Sequence, residues 1–563
     1  MGETAKVHAR GLFLAFLLAT ALFRLPDVWR PVDGSTWNSW REVDVAAIAR
    51  NFYREGMNIL YPRIDWRGDG PGFVESELPL YPWTVAQAYR WFGYREELAR
   101  VLAFGLALAA SAFFFLLARE VLRPAGLALA LAFWVVNPLG VRMATSVQPE
   151  PLMALALLAA IYFFRRWLAA GTARSYGLAL AFTILAVLAK LPALYVGLLL
   201  AALFLDRFGL RGLLRLDVWA FAGTTALASA AWYLHARGLF LAYGNSLGAS
   251  NEAYRLITVE GVLGNARWTI PGNLRNEVSG VWTAPGVLLG AIGLYGARRQ
   301  ASGRFVAFWL GALAVFYAVA GRTTGQPWAL YYHIASVPAA ALAVGLGAEA
   351  VAELLSRCAV GRAATRWILL ATLAAAAAAG VLGLGVRGDL ACTLAAAAAL
   401  GGGAWFLLRA LAPPAGPAPG SARRCLAGLL GCLLVGGTLA AEGRRTWKEM
   451  HPRPFEEQYA CAREFAGRVE PGSLVVASGG TPTIEGAQAL DAPYFFFWMD
   501  RKGFSLAHHS LEDVEAFRAR GAKYLVVERE FADRMPGFEE RVRGRYSLVA
   551  ECRGNLLLRL AGR

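Results

Sequence analysis

Long apolar runs recur through most of this chain, and they restrict its fold more than any other feature. Each run is about 15 to 22 residues long, which is enough for a helix to cross a bilayer. The runs lie at 9–24, 98–118, 124–137, 149–168, 175–189, 191–205, 217–236, 284–297, 304–320, 328–348, 366–386, 389–411 and 425–441. The pattern predicts a polytopic α-helical membrane protein with about thirteen transmembrane helices.

Basic residues lie between these runs and divide unevenly between the two sides. The formal net charge of +16 would by itself suit a nucleic-acid partner. However, Lys and Arg collect in alternate loops, and the short loops between them hold only Arg142, Lys190, Arg322 and Arg387. Arg-rich loops stay in the cytoplasm. This places the N-terminus inside and makes a nucleic-acid partner an unnecessary hypothesis.

An odd number of spans places the end of the chain on the outer side, with the long loops 25–97 and 237–283. We therefore predict a membrane domain over 1–441 and an extracytoplasmic domain over 442–563. Strand-like runs in the second domain (473–477, 523–527, 547–550 and 556–560) alternate with helical patterns (455–468 and 511–520). It is expected to be a small α/β domain.

The six cysteines include no C-x-x-C pair, so the sequence holds no zinc or redox motif of that type. Cys461 and Cys552 could pair if the C-terminal domain is extracytoplasmic. The first apolar run resembles a cleavable signal, but the many later spans do not need one. We favour a retained helix.

The first outer loop is far longer than a connection requires, which is typical of functional structure. Ser39 and Glu42 fit a capping box that starts a helix running to about Gly56. Val45, Ile48 and Phe52 form one apolar stripe, so we expect an interfacial helix along the membrane. Asp44 has no capping role and is the first candidate catalytic residue.

A second acid lies near the end of the same loop. Glu77 stands in Gly72–Trp83, where Pro79 and Pro82 favour extended backbone before them and Pro82 can open the next helix. Tyr81 is among the aromatic residues that suit the depth of the membrane surface. Glu77 is either a solvated loop acid or a functional group held in a rigid segment.

Other charged residues stand alone on the outer side. Glu150, at the start of the fourth span, is either a helix-end carboxylate or a functional acid. Lys190, Arg255 and Arg322 are unusual on this side, which makes them candidates for binding a phosphate. Lys190 has a simpler interpretation as a lysine that extends its amine to the membrane surface.

The order of these residues resembles the GT-C glycosyltransferases, especially the protein O-mannosyltransferase and lipid A aminoarabinose transferase group. By that resemblance, Asp44 acts as or orients the catalytic base, Glu77 is the second loop acid, and Glu150 is the acid of the fourth span. Leu78 stands where the aminoarabinose subgroup has a phosphate-contacting lysine. That departure puts its donor contacts and sugar specificity in doubt.

Two later segments extend the resemblance. Asn251–Leu256 is similar to a degenerate form of the family's E-H-x-x-R-F segment, with Glu252 in place of the histidine and Arg255 retained. Tyr331, Tyr332 and His333, before Pro338, resemble its Y-Y-x-x-x-x-P pattern. Tyr81, Tyr332 and His333 are therefore expected at the substrate, although His333 alone would suit a structural histidine.

The resemblance implies an inverting enzyme of a bacterial inner membrane that moves sugar from a polyprenyl-phosphate donor to a lipid, glycan or protein. Glu77 and Glu252 could together bind a divalent cation. The sequence leaves this open, since it has no dense ligand motif that would establish a metal site. The rival is a multi-span transporter or lipid flippase. That class predicts internal repeats, which we do not find.

Overall fold

The computed structural model describes most of the chain, and helices form the larger part of it. The described residues are 3–36, 38–247, 266–356, 421–450, 453–479, 481–483, 486–488, 493–507, 510–533 and 535–562. The helices up to residue 450 are α1 (Glu3–Arg24), α2 (Ser39–Glu55), α3 (Leu80–Phe92), α4 (Glu97–Val121), α5 (Pro124–Val136), α6 (Pro138–Ala144), α7 (Glu150–Ala170), α8 (Ala173–Ala189), α9 (Val196–Phe208), α10 (Leu216–Tyr243), α11 (Ala266–Asn276), α12 (Thr283–Ala297), α13 (Ala301–Val319), α14 (Gly321–Thr324), α15 (Val337–Ser356) and α16 (Ser421–Met450). Short 3₁₀ segments occur at Leu25–Asp27, Leu191–Tyr195, Leu210–Leu214 and Pro327–Ser336, and a π segment occurs at Glu277–Trp282.

Length and apolar composition identify which of these helices can cross a membrane. Six segments qualify among the described residues: Glu97–Val121, Glu150–Ala170, Leu191–Phe208, Ile270–Ala297, Ala301–Val319 and Pro327–Leu355. The pair α5 and α6, bent by 55°, adds one more if it is counted as a broken span. Predicted spans 366–386 and 389–411 lie outside the described residues, and every other predicted span coincides with a helix. The polytopic helical fold is confirmed, and the count of thirteen stays a prediction.

The first helix is an integral part of this bundle. The ring of Phe16 stacks on Phe115 of α4, with centroids 6.1 Å apart. At the end of α1, the Arg24 guanidinium donates to the backbone carbonyl of Trp134 in α5 at 3.2 Å. These contacts join α1 to α4 and α5, and retention of the helix stays a prediction.

The first long loop folds into α2 and α3, joined by the segment 56–79. Gly56 ends α2 with a φ of +133°, a conformation that favours glycine. The segment that follows is held by backbone hydrogen bonds, from Ile64 to the Gly72 carbonyl and from Leu78 to the Leu188 carbonyl of α8, both at 3.0 Å. The loop is thus built against the membrane helices.

The predicted capping box at the start of α2 is wrong. Ser39 is already the first helical residue, and Glu42 does not bond back to it. Glu42 is 0% exposed and accepts two hydrogen bonds from the Arg100 guanidinium, at 3.2 and 3.3 Å. It also accepts the backbone N–H of Val147 at 3.0 Å. Because Arg100 lies on α4 and Val147 precedes α7, Glu42 joins the loop helix to two membrane helices.

The position of α2 along the membrane stays a prediction, but the polar face expected of such a helix is not exposed. Val45, Ile48 and Phe52 are buried, as an apolar stripe requires, but Arg41 and Asp44 are buried too. Protein surrounds the helix on nearly all sides, with α3 and the C-terminal domain among its neighbours. The polar side chains of α2 therefore face protein partners and the interior.

The C-terminal region is the small α/β domain that the sequence indicates. Its helices are α17 (Glu456–Ala466), α18 (Tyr494–Trp498), α19 (Leu511–Ala519), α20 (Arg529–Ala532) and α21 (Phe538–Arg545), and its strands are β1 (Leu474–Ser478), β2 (Thr481–Thr483), β3 (Gly486–Gln488), β4 (Lys502–Leu506), β5 (Ala522–Val527), β6 (Tyr546–Cys552) and β7 (Asn555–Gly562). Five strands form a sheet in the order β4-β1-β5-β7-β6. β1 is parallel to β4 and β5, whereas β7 is antiparallel to β5 and β6. The predicted boundary at residue 442 lies within α16.

A disulfide joins Cys461 of α17 to Cys552 at the end of β6, so the two cysteines that the sequence left open are paired. The bond ties the first helix of the domain to its edge hairpin.

We expect Glu42→Ala to destabilise the whole protein, because it leaves the Arg100 guanidinium buried without its acid. Removing one partner of a buried ion pair typically costs about 3–5 kcal/mol. The thermal unfolding midpoint in detergent micelles measures this. Glu55→Ala is the control: it removes an acid of the same helix whose side chain is 28% exposed, and it should cost only about 1 kcal/mol. Equal midpoints for the two variants would contradict the role given to Glu42.

Replacing Cys461 and Cys552 together by serine should lower the unfolding temperature of the C-terminal domain. The bond closes a loop over a sequence separation of 91 residues, and removing a native disulfide commonly costs about 2–5 kcal/mol. Reductant should produce the same shift in the unsubstituted protein and none in the double variant. A double variant that still responds to reductant would argue against this pairing.

Candidate active site

Asp44 lies one turn into α2, and protein encloses its side chain. The residue is 1% exposed. Oδ1 accepts the indole N–H of Trp66 at 2.9 Å, whereas Oδ2 has no hydrogen-bond partner among the described residues. Burial raises the pKa of this carboxyl to about 7, against the opposing effects of Trp66 and Arg41. A carboxylate with one fixed and one free oxygen that titrates near neutral pH is suited to accept a proton.

Arg41 and Glu77 form a second pair beside Asp44. Nη2 of Arg41 donates to Oε1 of Glu77 at 2.5 Å, and both side chains are largely buried. Burial opposes ionisation of Glu77, but the positive charges of Arg41 and Lys190 outweigh it and lower its pKa. Glu77 is therefore a carboxylate held between cations, and not a solvated loop acid.

Glu150 and Lys190 form the third element of the site. Glu150 opens α7, Lys190 follows the last residue of α8, and Nζ of Lys190 pairs with Oε1 of Glu150. The second oxygen of Glu150, Oε2, has no hydrogen-bond partner in the described part of the chain. The Lys190 amine also lies 4.6 Å from the ring centroid of Tyr331 and 5.1 Å from that of Tyr332. Lys190 therefore points into the protein and does not extend to the membrane surface.

Arg41 connects these elements into one group. Its guanidinium lies within electrostatic reach of Glu77, Asp44 and Glu150. The five side chains Asp44, Arg41, Glu77, Glu150 and Lys190 are called the acid–base cluster below. Three acids and two bases give it a formal charge of −1 when Asp44 is ionised, and 0 when Asp44 is protonated.

A small apolar cavity of about 40 Å³ adjoins the cluster at Glu150. Residues from α4, α5, α6, α7 and α15 line it, including Ala107, Trp134, Leu157 and Val337. Among the described residues that line it, the charged ones are Arg24 and Glu150. Apolar side chains that could contact a hydrocarbon chain therefore lie directly beside the Glu150 carboxylate.

Two of the expected substrate residues are committed to internal contacts. The Tyr81 hydroxyl donates to the Ala99 carbonyl at 2.7 Å, and the residue is 1% exposed. His333 is 0% exposed, with Nδ1 2.6 Å from a Glu277 oxygen and Nε2 donating to the Thr324 carbonyl at 3.0 Å. These contacts match the structural interpretation of His333, whereas Tyr332 remains beside Lys190.

The remaining predicted residues cannot be placed at the cluster. Glu252 and Arg255 lie outside the described residues. Arg322 is on α14, and its side chain is outside the described part of the structure. Their roles stay predictions.

The described residues contain no group of three or more His, Cys, Asp or Glu side chains that could hold a metal ion. Glu77, one of the two expected ligands, forms an ion pair with Arg41. We therefore derive no reaction step through a metal.

Two residues of the site, Arg41 and Trp66, were not predicted from the sequence. Arg41 was not among the predicted site residues, although its spacing of three from Asp44 puts both on one face of a helix. Trp66 gave no signal, because it is separated from Asp44 by 22 residues and its indole N–H is recognised as a donor to Oδ1 only in the folded chain.

Comparison with known proteins supports the sequence interpretation. A sequence model of the dolichyl-phosphate-mannose-protein mannosyltransferase family matches residues 72–234, which include Glu77, Glu150 and Lys190. No protein with a curated description matches the chain.

Solved structures match over nearly the whole chain. ArnT from Cupriavidus metallidurans bound to undecaprenyl phosphate has a TM-score of 0.55 at 16% identity, with 100% of both chains covered. The apo oligosaccharyltransferase of Archaeoglobus fulgidus has a TM-score of 0.51 at 14% identity, covering 93% of this chain and 70% of that one. These low identities establish the fold alone. The chain has the GT-C fold that its sequence resembles.

Proposed function

We propose that this chain, which has the GT-C glycosyltransferase fold, is an inverting glycosyltransferase that uses a polyprenyl-phosphate-linked sugar. The acid–base cluster carries the proposal. Asp44 has a free oxygen and lies within electrostatic reach of the buried Arg41, and Glu150 of the same cluster lines an apolar cavity. The similar structure of ArnT contains undecaprenyl phosphate, which supports this class of donor. The matching family model is named for a donor of the same chemistry, dolichyl-phosphate mannose.

The reaction is a single displacement at the anomeric carbon. An acceptor hydroxyl or amine forms a bond to that carbon while the bond to the phosphate oxygen breaks, and polyprenyl phosphate leaves with the bonding electrons. The acceptor proton passes to Oδ2 of Asp44. Attack from the face opposite the phosphate inverts the configuration.

The leaving phosphate needs positive charge, which Lys190 and Arg41 supply. Leu78 has no charge and cannot contact the phosphate as the lysine of the aminoarabinose subgroup does. Lys190 lies close enough to Glu77 to lower the pKa of Glu77, so it can supply the charge instead. The cluster reaches no net positive charge, so we assign Arg255 and Arg322 as further phosphate contacts. A divalent cation would serve the same purpose. We propose that the first part of the polyprenyl chain packs against the apolar residues that line the cavity beside Glu150.

We place the reaction on the outer face of a bacterial inner membrane, with a lipid, glycan or protein as acceptor. The first loop, the acid–base cluster and the C-terminal domain are on one side of the bundle, since α2 packs on both α3 and α18. The disulfide of that domain favours the oxidising side.

Asp44→Asn should abolish transfer, because an amide cannot take the acceptor proton. General-base catalysis is typically worth about 100- to 10,000-fold in rate. The measurement is transfer of labelled sugar from a polyprenyl-phosphate donor by the protein in lipid nanodiscs, with Asp69→Asn at an exposed ion pair as the control. Unchanged transfer by Asp44→Asn would refute the base assignment. Movement of the lipid donor across the membrane without covalent transfer would favour the transporter alternative.

The wild-type rate should fall as pH drops through about 7, where Asp44 becomes protonated. Burial raises the pKa of this carboxyl, so the active carboxylate form is present above that pH and lost below it. The pH dependence of kcat/KM measures the transition. A rate that stays flat down to the ordinary range of an aspartate, about pH 4, would contradict the assignment.

Lys190→Met should weaken donor binding, because it removes a cation from the phosphate site and leaves Glu150 without its partner. Charge-assisted hydrogen bonds are worth about 1.5–3 kcal/mol, so we expect the KM for the donor to rise about tenfold or more. Lys190→Arg, which keeps the charge, should recover most of the affinity. An unchanged KM in Lys190→Met would remove Lys190 from the donor site.

A further inference from the structure

The direction in which Asp44 points depends on one side chain of the segment 56–79. Trp66 is 4% exposed, and its indole N–H donates to Oδ1 of Asp44 at 2.9 Å. Because the two carboxylate oxygens move together, fixing Oδ1 also fixes the direction of the free Oδ2. The position of Trp66 therefore decides where a proton can be accepted.

The residue before Trp66 is tied down by a buried network. Asp65 is 2% exposed and pairs with Arg50 and Lys502, and the Asn51 amide donates to it at 3.0 Å. Burial opposes ionisation of Asp65, but Arg50 and Lys502 outweigh it and lower its pKa to about 2. Arg50 and Asn51 belong to α2, the helix of Asp44, whereas Lys502 begins β4 of the C-terminal domain.

Backbone contacts fix the same junction. The N–H of Gly503 donates to the Asp65 carbonyl at 3.2 Å, and the N–H of Gly68 donates to the Gly503 carbonyl at 2.6 Å. β4 is an edge strand of the sheet, so the segment 65–68 hydrogen-bonds to an otherwise open edge. A Cβ on Gly503 would lie 1.7 Å from the Val475 carbonyl oxygen, so only glycine fits there.

We propose that Trp66 and Lys502 are positioning residues for Asp44, and that the C-terminal domain completes the active site by holding the segment 65–68 in place. The proposal rests on the proposed role of Asp44 as the base. It assigns the domain a part in catalysis, through a continuous set of contacts from Lys502 to Asp65, Trp66 and Asp44.

Trp66→Phe tests the first contact, because it keeps an aromatic ring and removes the N–H. Without that donor the carboxylate of Asp44 is less stabilised, so the acidic limb of the kcat/KM profile should move up by about one pH unit. A loss that came only from instability would lower the rate at every pH and leave the limb in place. That outcome would overturn the positioning role of Trp66.

Lys502→Met tests the link to the domain in the full-length protein. We expect kcat to fall about ten- to a hundredfold with the donor KM unchanged, since displacement of the base affects the reaction more than binding. Lys502→Arg should restore most of the rate. Arg520→Gln is the matched control, because it breaks the exposed pair with Asp69 across the same interface without contacting Asp65.

The outcomes separate this proposal from the proposed function. If Asp44→Asn is inactive but Trp66→Phe and Lys502→Met keep the wild-type kcat and pH profile, the positioning proposal is wrong and the base assignment survives. Equal losses of kcat in Lys502→Met and Arg520→Gln would also overturn it, because they would show a general effect of docking. Full activity of Asp44→Asn would refute the proposed function itself.

Discussion

The buried ion pair between Glu42 and Arg100 is the contact on which both sides of the site depend. Glu42 is two residues before Asp44 on α2. Glu42 also accepts a hydrogen bond from the backbone N–H of Val147, which fixes the turn that leads to Glu150. A single carboxylate thus sets the position of α2 relative to α4 and α7. Its charge is fully compensated by a bidentate guanidinium, which is what makes an acid tolerable at zero exposure. Without this pair, Asp44 and Glu150 would belong to separately placed elements.

Charge balance explains the rest of the cluster. The carboxylates of Glu77 and Glu150 each have a cation, Arg41 and Lys190 respectively, whereas Asp44 has only a neutral indole donor. Burial is therefore not offset at Asp44 and raises its pKa toward neutral pH. Asp44, which has no dedicated cation, can therefore exchange a proton near neutral pH.

Features with a local period were predictable from the sequence, and contacts between distant residues were not. Apolar runs and alternating strands identified the bundle and four strands of the C-terminal domain. β4, Lys-Gly-Phe-Ser-Leu, was missed because Gly503 interrupts the alternation of apolar and polar residues that predicts a strand. The close contact of Gly503 with β1 nevertheless requires a glycine at this position. Asp44, Glu77, Glu150 and Lys190 were identified individually from their unusual places in loops. Glu42 was misassigned, because the spacing of a capping box is the same whether the glutamate bonds to its own helix or to an arginine 58 residues away.

The central claim is that the acid–base cluster receives the phosphate of a polyprenyl donor with Asp44 facing the sugar. An electron cryo-microscopy structure of the full-length protein in nanodiscs with added undecaprenyl phosphate tests it most directly. We predict phosphate density within hydrogen-bond distance of Lys190, with the lipid chain packed against the apolar residues that line the cavity and Oδ2 of Asp44 open toward the headgroup. Phosphate bound on another face of the bundle, with the Glu150–Lys190 pair intact and no lipid chain against those residues, would contradict this account.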